Sequence, residues 1–401
     1  MTTTPGGIPI TRTPARQAGA ATVLLIHGFL DDTQVWDGVV DALDGKVATV
    51  RYDLPGSGAR AGGAADPRDL SLEGFAAEAG ALLQQIDAPV IVAGQSMGSQ
   101  VAELVAVRHA DKVRGLVLLT PVPLGGTRLP DEVVAPFRAL GGQVNAQRAV
   151  RSQLSPALGE RELDRLERAG GAVAPDVVAR YVDIWNQGVD DAPTPSRYTG
   201  PVLLLRGGAD GFANQELVEA IGSRFGQADV QVVDGGGHWL HVEQPAIAAS
   251  AILDFTDKAV AGIATRGWQT GFADKSENSF ADGFAEDIVL EAAVLTKPIR
   301  GKALVAPALA AASSLYESLE FTEETTDGPT SYLQWRATAF GGVEIAGVTV
   351  LRRDTDGKIA SAAIHHRPLT AALRFSGALR DLLTGVIPAD HFHGAQYPHQ
   401  G

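Results

Sequence analysis

The sequence has no cysteine among its 401 residues. That absence removes disulfides, thiolate nucleophiles and cysteine-based metal sites together, and it suits a reducing compartment. Positive charge is also scarce, with 33 Lys and Arg against 47 Asp and Glu and a formal net charge of −14. An acidic surface repels nucleic acid and anionic lipid alike, so neither is expected as a partner. No run of about 18 apolar residues occurs, so no membrane-spanning helix is expected. The stretch Met1 to Ala21 lacks the apolar centre of a secretion signal and reads as a short lead-in, which makes the cytoplasm the expected location. Nucleotide or cofactor fingerprints are missing too. His391, His393 and His399 fall in a polar tail rather than at helical metal-ligand spacing, so neither cofactor nor metal is expected.

What is present is enough to fold. A hydrophobic fraction of 45% with 20% charged residues is too apolar for a disordered chain, and the length suits two domains. Short apolar runs rich in β-branched residues stand at Ala21 to Ile26, Val47 to Tyr52, Val90 to Ala93, Val113 to Leu119, Pro201 to Arg206 and Val230 to Val233. Helix-spaced stretches such as Leu72 to Ile86 separate them, and alternation of this kind predicts a parallel sheet. Residues 123–200 interrupt the alternation with helical stretches alone, Glu160 to Arg168 and Val177 to Trp185 among them, which predicts a helical insertion above the sheet. Ala246 to Phe255 reads as a closing helix, and Thr256 to Thr265 as weakly patterned linker.

Beyond Gly267 strands follow one another through short turns. Asp327-Gly328 and Asp356-Gly357 are hairpin signals, and Tyr332, Gln334 and Arg336 alternate with Leu333, Trp335 and Ala337. That is the grammar of an antiparallel sheet with helices. The expected divisions are a lead-in over 1–21, a first domain over 22–258, a second over 266–385 and a loosely ordered tail over 386–401.

Gly94-Gln95-Ser96-Met97-Gly98 is a G-x-S-x-G string placed directly after an expected strand and before an expected helix. In that setting the flanking glycines permit a turn too tight for a Cβ, and the Ser96 hydroxyl stands clear of the sheet as a nucleophile. A hydroxyl needs a base, and His238 follows the last expected strand through Asp234-Gly235-Gly236-Gly237. Asp210, shortly after the strand ending at Arg206, is the acid that would orient that base, with Asp234 as a second candidate. Asp210 also reads as an Asx turn or helix cap. The backbone amides of Phe29, after His27-Gly28, and of Met97 are the candidate donors to an oxyanion. Asp53-Leu54-Pro55-Gly56-Ser57-Gly58 lacks the Lys of a phosphate loop and reads as a structural turn. Phe137, Tyr181 and Trp185 are candidate apolar pocket walls.

Taken together, His27-Gly28, Asp53 with Gly56 and Gly58, the Ser96 string, and Gly237-His238 with Glu243-Gln244-Pro245 resemble the α/β-hydrolase superfamily over about residues 22–255. The resemblance implies an α/β-hydrolase fold with a helical cap and a Ser96, Asp210, His238 triad. It implies hydrolysis of a small-molecule ester or lactone through an acyl-enzyme. Carbon-carbon bond hydrolysis and perhydrolysis at the same triad remain open, as does a ligand-binding protein on the same scaffold. A serine at the elbow disfavours the chemistry of epoxide hydrolases and dehalogenases. The C-terminal segment resembles SnoaL-like polyketide-cyclase-type domains, α+β and cone-shaped, through Phe284-Ala285-Glu286-Asp287-Ile288 and Pro298-Ile299-Arg300-Gly301-Lys302. Asp287, His365 and His366 are its acid-base candidates, structural roles being the plainer reading, and pairing with a second copy into a homodimer is expected.

Overall fold

The computed structural model of the chain describes residues 2–3, 7–17, 20–63, 66–354 and 357–394. They form two compact units that divide between Thr256 and Asp257.

In the first unit the strands are β1 (Thr2–Thr3), β2 (Pro9–Thr13), β3 (Thr22–Ile26), β4 (Ala48–Tyr52), β5 (Val90–Gln95), β6 (Val113–Leu119), β7 (Val202–Gly207) and β8 (Ala228–Val233). They make one sheet in the order β1-β2-β4-β3-β5-β6-β7-β8. From β4 to β8 every pairing is parallel. Every residue of β3 and β5 is buried, as it must be in strands covered on both faces. The chain order reverses between β3 and β5, so the loops leaving their C-terminal ends diverge and open a crevice.

The lead-in contributes more than expected. Pro9–Thr13 adds an antiparallel strand beside β4, with buried Ile10 opposite Tyr52. Its polar alternation hid it in the sequence, since only one residue of the five is buried.

Helices α1 (Asp37–Leu43), α2 (Leu72–Leu83) and α3 (Met97–Arg108) connect the early strands. The side chain of Ser71 caps α2 by accepting from the Gly74 amide. Between β6 and β7 lie only helices: α4 (Asp131–Arg138), α5 (Val144–Leu154), α6 (Glu160–Gly171) and α7 (Pro175–Gln187). This insertion reaches the loops above the strand ends, where the Tyr181 hydroxyl donates to the Pro55 carbonyl at 2.6 Å.

After α8 (Gln215–Gly222) and the single turn α9 (Leu240–Glu243), helix α10 runs unbroken from Pro245 to Asp274. The linker expected over Thr256 to Thr265 is therefore helical. It holds one glycine, no proline and three alanines, and nothing in that composition forces a stop.

The second unit contains α11 (Glu277–Ala281), α12 (Lys302–Leu315) and α13 (Leu369–Leu382). Its strands are β9 (Phe284–Ala292), β10 (Ile299–Arg300), β11 (Tyr316–Asp327), β12 (Thr330–Ala339), β13 (Val343–Arg353) and β14 (Ile359–Arg367), ordered β10-β9-β14-β13-β12-β11. Strands β11 to β14 form an antiparallel meander, and β14 pairs with β9 in parallel. Gly328, at φ +53°, makes the turn between β11 and β12. Asp356 of the second turn signal lies outside the described residues. Along β12, Leu333, Trp335, Ala337 and Ala339 face the core while Tyr332, Gln334 and Arg336 are exposed. The start of the tail, expected to be loosely ordered, is instead packed: Ile387 and Phe392 are buried and Phe392 bridges to Leu295. Two apolar side chains among many polar ones give no periodic signal. His399 lies outside the described residues.

Candidate active site

Strand β5 ends at Gln95 and helix α3 begins at Met97, so one residue, Ser96, makes the whole turn. It does so at φ 52° and ψ −123°, outside the conformations an L-residue adopts without strain. The glycines on either side are required by contact. A Cβ at Gly94 would lie 2.1 Å from the Gly98 carbonyl oxygen, and one at Gly98 would lie 2.5 Å from that of His27. The Ser96 amide donates to the Leu119 carbonyl at 3.0 Å and Ser99 Oγ donates to the Ser96 carbonyl at 2.6 Å, which fixes the strained turn from both neighbouring elements.

The structure brings Ser96, His238 and Asp210 together. His238 Nε2 is 2.9 Å from Ser96 Oγ, and His238 Nδ1 is 2.8 Å from Asp210 Oδ2. All three are buried. The loop carrying His238 is tied down along its backbone: the His238 amide donates to the Leu154 carbonyl at 2.9 Å, and its carbonyl accepts from Gln95 Nε2 at 3.1 Å and Thr120 Oγ1 at 3.0 Å. Glu243 accepts from the Gly237 and Ala157 amides, which anchors the same loop to the insertion. The other oxygen of Asp210 accepts from the amides of Phe212 at 2.8 Å and Ala213 at 3.1 Å, so the Asx turn and the His238 partner are one arrangement. Burial pushes the Asp210 carboxyl up, but the facing His238 ring and these two amides outweigh it and hold it below the usual carboxylate range. Asp234 is exposed and does not contact His238; its carbonyl accepts from Gln244 Nε2.

A cavity of about 50 Å³ opens beside Ser96 Oγ. The loop after β3 brings Phe29 to it and α3 starts beneath it with Met97, and neither amide finds an intramolecular acceptor among the described residues. Gly28 permits this close approach, since a Cβ there would fall 2.2 Å from Gln95 Oε1. Aromatic rings meet edge to face along one wall, Phe137 on Trp185, Trp185 on Phe212 and Phe212 on His238, and Trp239 also meets the imidazole edge to face.

Tyr181 is not a pocket wall. Its ring packs on Phe75 and its hydroxyl contacts Ser57 Oγ and the Pro55 carbonyl, so it joins the insertion to the structural turn after β4. In that turn Asp53 accepts from the Thr33 and Ala59 amides. Phe212, Trp239 and Arg151 were missed by sequence reasoning. The first two stand beside Asp210 and His238, which was a usable signal; nothing local distinguishes Arg151 from the half-buried Arg148 one turn earlier. In the second unit, Asp287 and His365 are exposed and separate. His366 lines an apolar cavity of about 30 Å³, 3.2 Å from the Tyr316 hydroxyl, and burial pushes its imidazole down to about 4. The His391 amide closes a turn on the Pro388 carbonyl, and its carbonyl accepts from the Thr296 amide. Among the described residues no three His, Asp or Glu side chains converge on a metal site.

The family model described as alpha/beta hydrolase family matches residues 23–251, more than half of the chain. The chain belongs to the alpha/beta hydrolase family. This hydrolase is 25% identical over 249 residues to the sn-1-specific diacylglycerol lipase ABHD11 of Mus musculus, a match covering 58% of this chain and 80% of the relative. It is 26% identical over 248 residues to a pimeloyl-[acyl-carrier protein] methyl ester esterase of Neisseria meningitidis, covering 59% and 92%. Among solved structures, the enol-lactonase from Burkholderia xenovorans LB400 superposes with a TM-score of 0.53 at 21% identity, over 62% of this chain and 95% of that one. These comparisons make the chain an enzyme of the hydrolase class. No helix among the hydrolase's described residues is long and apolar enough to cross a membrane.

Proposed function

We propose that the hydrolase cleaves a carboxylic ester or lactone through an acyl-enzyme, with Ser96 as nucleophile, His238 as base and Asp210 as its orienting acid. The observation that carries this reading is the unbroken contact from Asp210 Oδ2 through His238 to Ser96 Oγ in the lining of the cavity. Ser96 Oγ bonds to the substrate carbonyl carbon while His238 Nε2 takes the hydroxyl proton. The amides of Phe29 and Met97 receive the oxyanion that forms. His238 then passes the proton to the departing alcohol oxygen, leaving the acyl group on Ser96. A water molecule, deprotonated by the same nitrogen, releases the acid and restores the serine. Asp210, held ionised, keeps Nδ1 protonated and balances the imidazolium charge in both halves. Relatives named as a lipase and a methyl ester esterase support ester substrates.

The test is an ester and lactone panel run with wild type and Ser96→Ala, together with serine-directed phosphonate labelling read by intact mass. Loss of the triad nucleophile costs on the order of 10⁶-fold in rate. Retention of a tenth of the activity, or labelling of the variant, would reject the assignment.

For the second unit the proposal is a SnoaL-like domain that serves assembly, supported by its mixed sheet with helices α12 and α13. Leu369, Leu373 and Leu382 of α13 are exposed, as is Val386 just beyond, and they suit pairing with a second copy. Mass in solution for wild type against Leu369→Glu/Leu373→Glu checks this; an unchanged mass would reject it. A cytoplasmic location belongs to the same proposal, resting on the cysteine-free sequence.

A further inference from the structure

The cavity beside Ser96 is apolar along its aromatic wall but not throughout. Arg151 of α5 and Gln147, one turn before it, also line it. The Arg151 side chain is 1% exposed. Its Nη2 donates to the Leu30 carbonyl at 2.7 Å and stands 3.6 Å from Asp31 Oδ1, while the guanidinium carbon lies 5.7 Å from the Trp239 ring centroid. Its Nε and Nη1 have no hydrogen-bond partner among the described residues, nor do Gln147 Oε1 and Asp31 Oδ1. Asp31 is fixed on its other oxygen by Trp239 Nε1 at 2.9 Å.

Unmet donors on a buried cation are costly, because the group has left water without recovering its hydrogen bonds. Asp31 offsets the charge from 3.6 Å but leaves two of the three guanidinium nitrogens unused. A planar fork with free nitrogens matches the two oxygens of a carboxylate better than any neutral group. We infer that Arg151, with Gln147 and Asp31, forms a subsite for a carboxylate carried by the substrate, so that the preferred substrate is the monoester of a short dicarboxylic acid. This rests on the reading of Ser96 as nucleophile. The acyl chain is short because the cavity holding both Ser96 and Arg151 is only about 50 Å³, and its carbon chain meets Val122, Leu140 and Trp185. Burial raises the Asp31 carboxyl above its ordinary value, which eases the approach of a second carboxylate.

The experiment compares monomethyl glutarate with methyl valerate, following methanol release by the full-length protein. Wild type is expected to favour the glutarate monoester by at least about tenfold in kcat/KM, the scale of a charge-assisted hydrogen bond. Arg151→Met should erase that preference, chiefly through KM for the glutarate monoester, so that the two esters are turned over alike. Arg151→Lys, which keeps the charge and loses the fork, is the second variant if the first does not fold, and should lose part of the preference. Equal handling of the two esters by wild type, or an equal fall for both in either variant, overturns the subsite. Calorimetric titration of Ser96→Ala with monomethyl glutarate reads the subsite without turnover. Saturable binding that Arg151→Met or Arg151→Lys weakens supports it. No binding, in a protein whose wild type is labelled at Ser96 by phosphonate, overturns the subsite and spares the nucleophile; failure of labelling overturns the nucleophile, and the titration still judges the subsite.

Discussion

Gln95 holds His238 from behind. Its Nε2 donates to the His238 carbonyl at 3.1 Å, and Thr120 Oγ1 donates to the same oxygen at 3.0 Å. The residue that ends the nucleophile strand thus also sets the height of the base, and the Ser96-to-His238 distance is built into one strand end.

Gln95→Leu keeps the volume and removes the donor, leaving the buried carbonyl to Thr120. The expected result is about a tenfold fall in kcat with KM nearly unchanged, and about 1 kcal/mol less stability. Gln95 is a positioning residue here, so the double variant with Thr120→Val should fall further than either alone. Steady-state kinetics beside urea unfolding checks this, and an unchanged kcat would show that the His238 loop holds itself.

Asp210→Asn should lower kcat by roughly 10⁴-fold while the protein stays folded, because an amide can present its NH₂ to Nδ1 and trap the wrong tautomer. Asp234→Asn should have no effect beyond about twofold, since Asp234 is exposed and away from His238. The two variants assayed side by side separate the candidates, and a larger loss at Asp234 would reverse the assignment.

Gly94→Ala should destabilise by about 1–3 kcal/mol or more, because the new Cβ meets the Gly98 carbonyl at 2.1 Å and backbone cannot rotate away as a side chain can. Gly226→Ala is the control: a Cβ there meets nothing within 4 Å, and the expected change is within about 0.5 kcal/mol. Thermal melts of both variants decide whether steric exclusion or chance composition puts glycine before the serine.

The parts of the site that were legible in the sequence are those fixed by local chain geometry. Ser96 could be found because a strand, a one-residue turn and a helix follow one another directly between Val90 and Arg108, and Asp210 and His238 because each follows an identifiable strand. Tyr181 and Trp185 show where that reasoning stops. They lie one turn apart on α7, equally apolar, and only the tertiary packing sends Trp185 to the cavity and Tyr181 to Phe75 and Pro55. Arg151 is harder still, since burial of a cation depends on Leu30 and Asp31, some 120 residues earlier in the chain. In the second unit the alternation of β12 was plain, whereas α10 merged a helix and an expected linker because alanine-rich sequence marks no boundary.

His241 gives a prediction that does not depend on catalysis. It is fully buried against Trp36, with ring centroids 4.6 Å apart, and neither ring nitrogen has a partner among the described residues. Burial, reinforced by the positive charge of His238 when protonated and of Arg165, pushes its pKa down to about 3, from an ordinary value of 6.5. The unfolded chain therefore binds a proton that the folded chain refuses. Stability from this group is complete above the ordinary value and is lost as the pH falls from there towards the folded value, by about 1.4 kcal/mol for each unit. His241→Phe fills the same space without a titrating group. Measured by urea unfolding at about pH 7.5 and about pH 4.5, the variant should lose roughly 2–3 kcal/mol less than wild type between the two conditions. The difference must grow on the acid side alone, because both rings are neutral at the higher pH. Equal losses in the two proteins would mean that His241 finds a proton acceptor or water in the folded state, and that the buried imidazole is not what makes the first unit acid-sensitive.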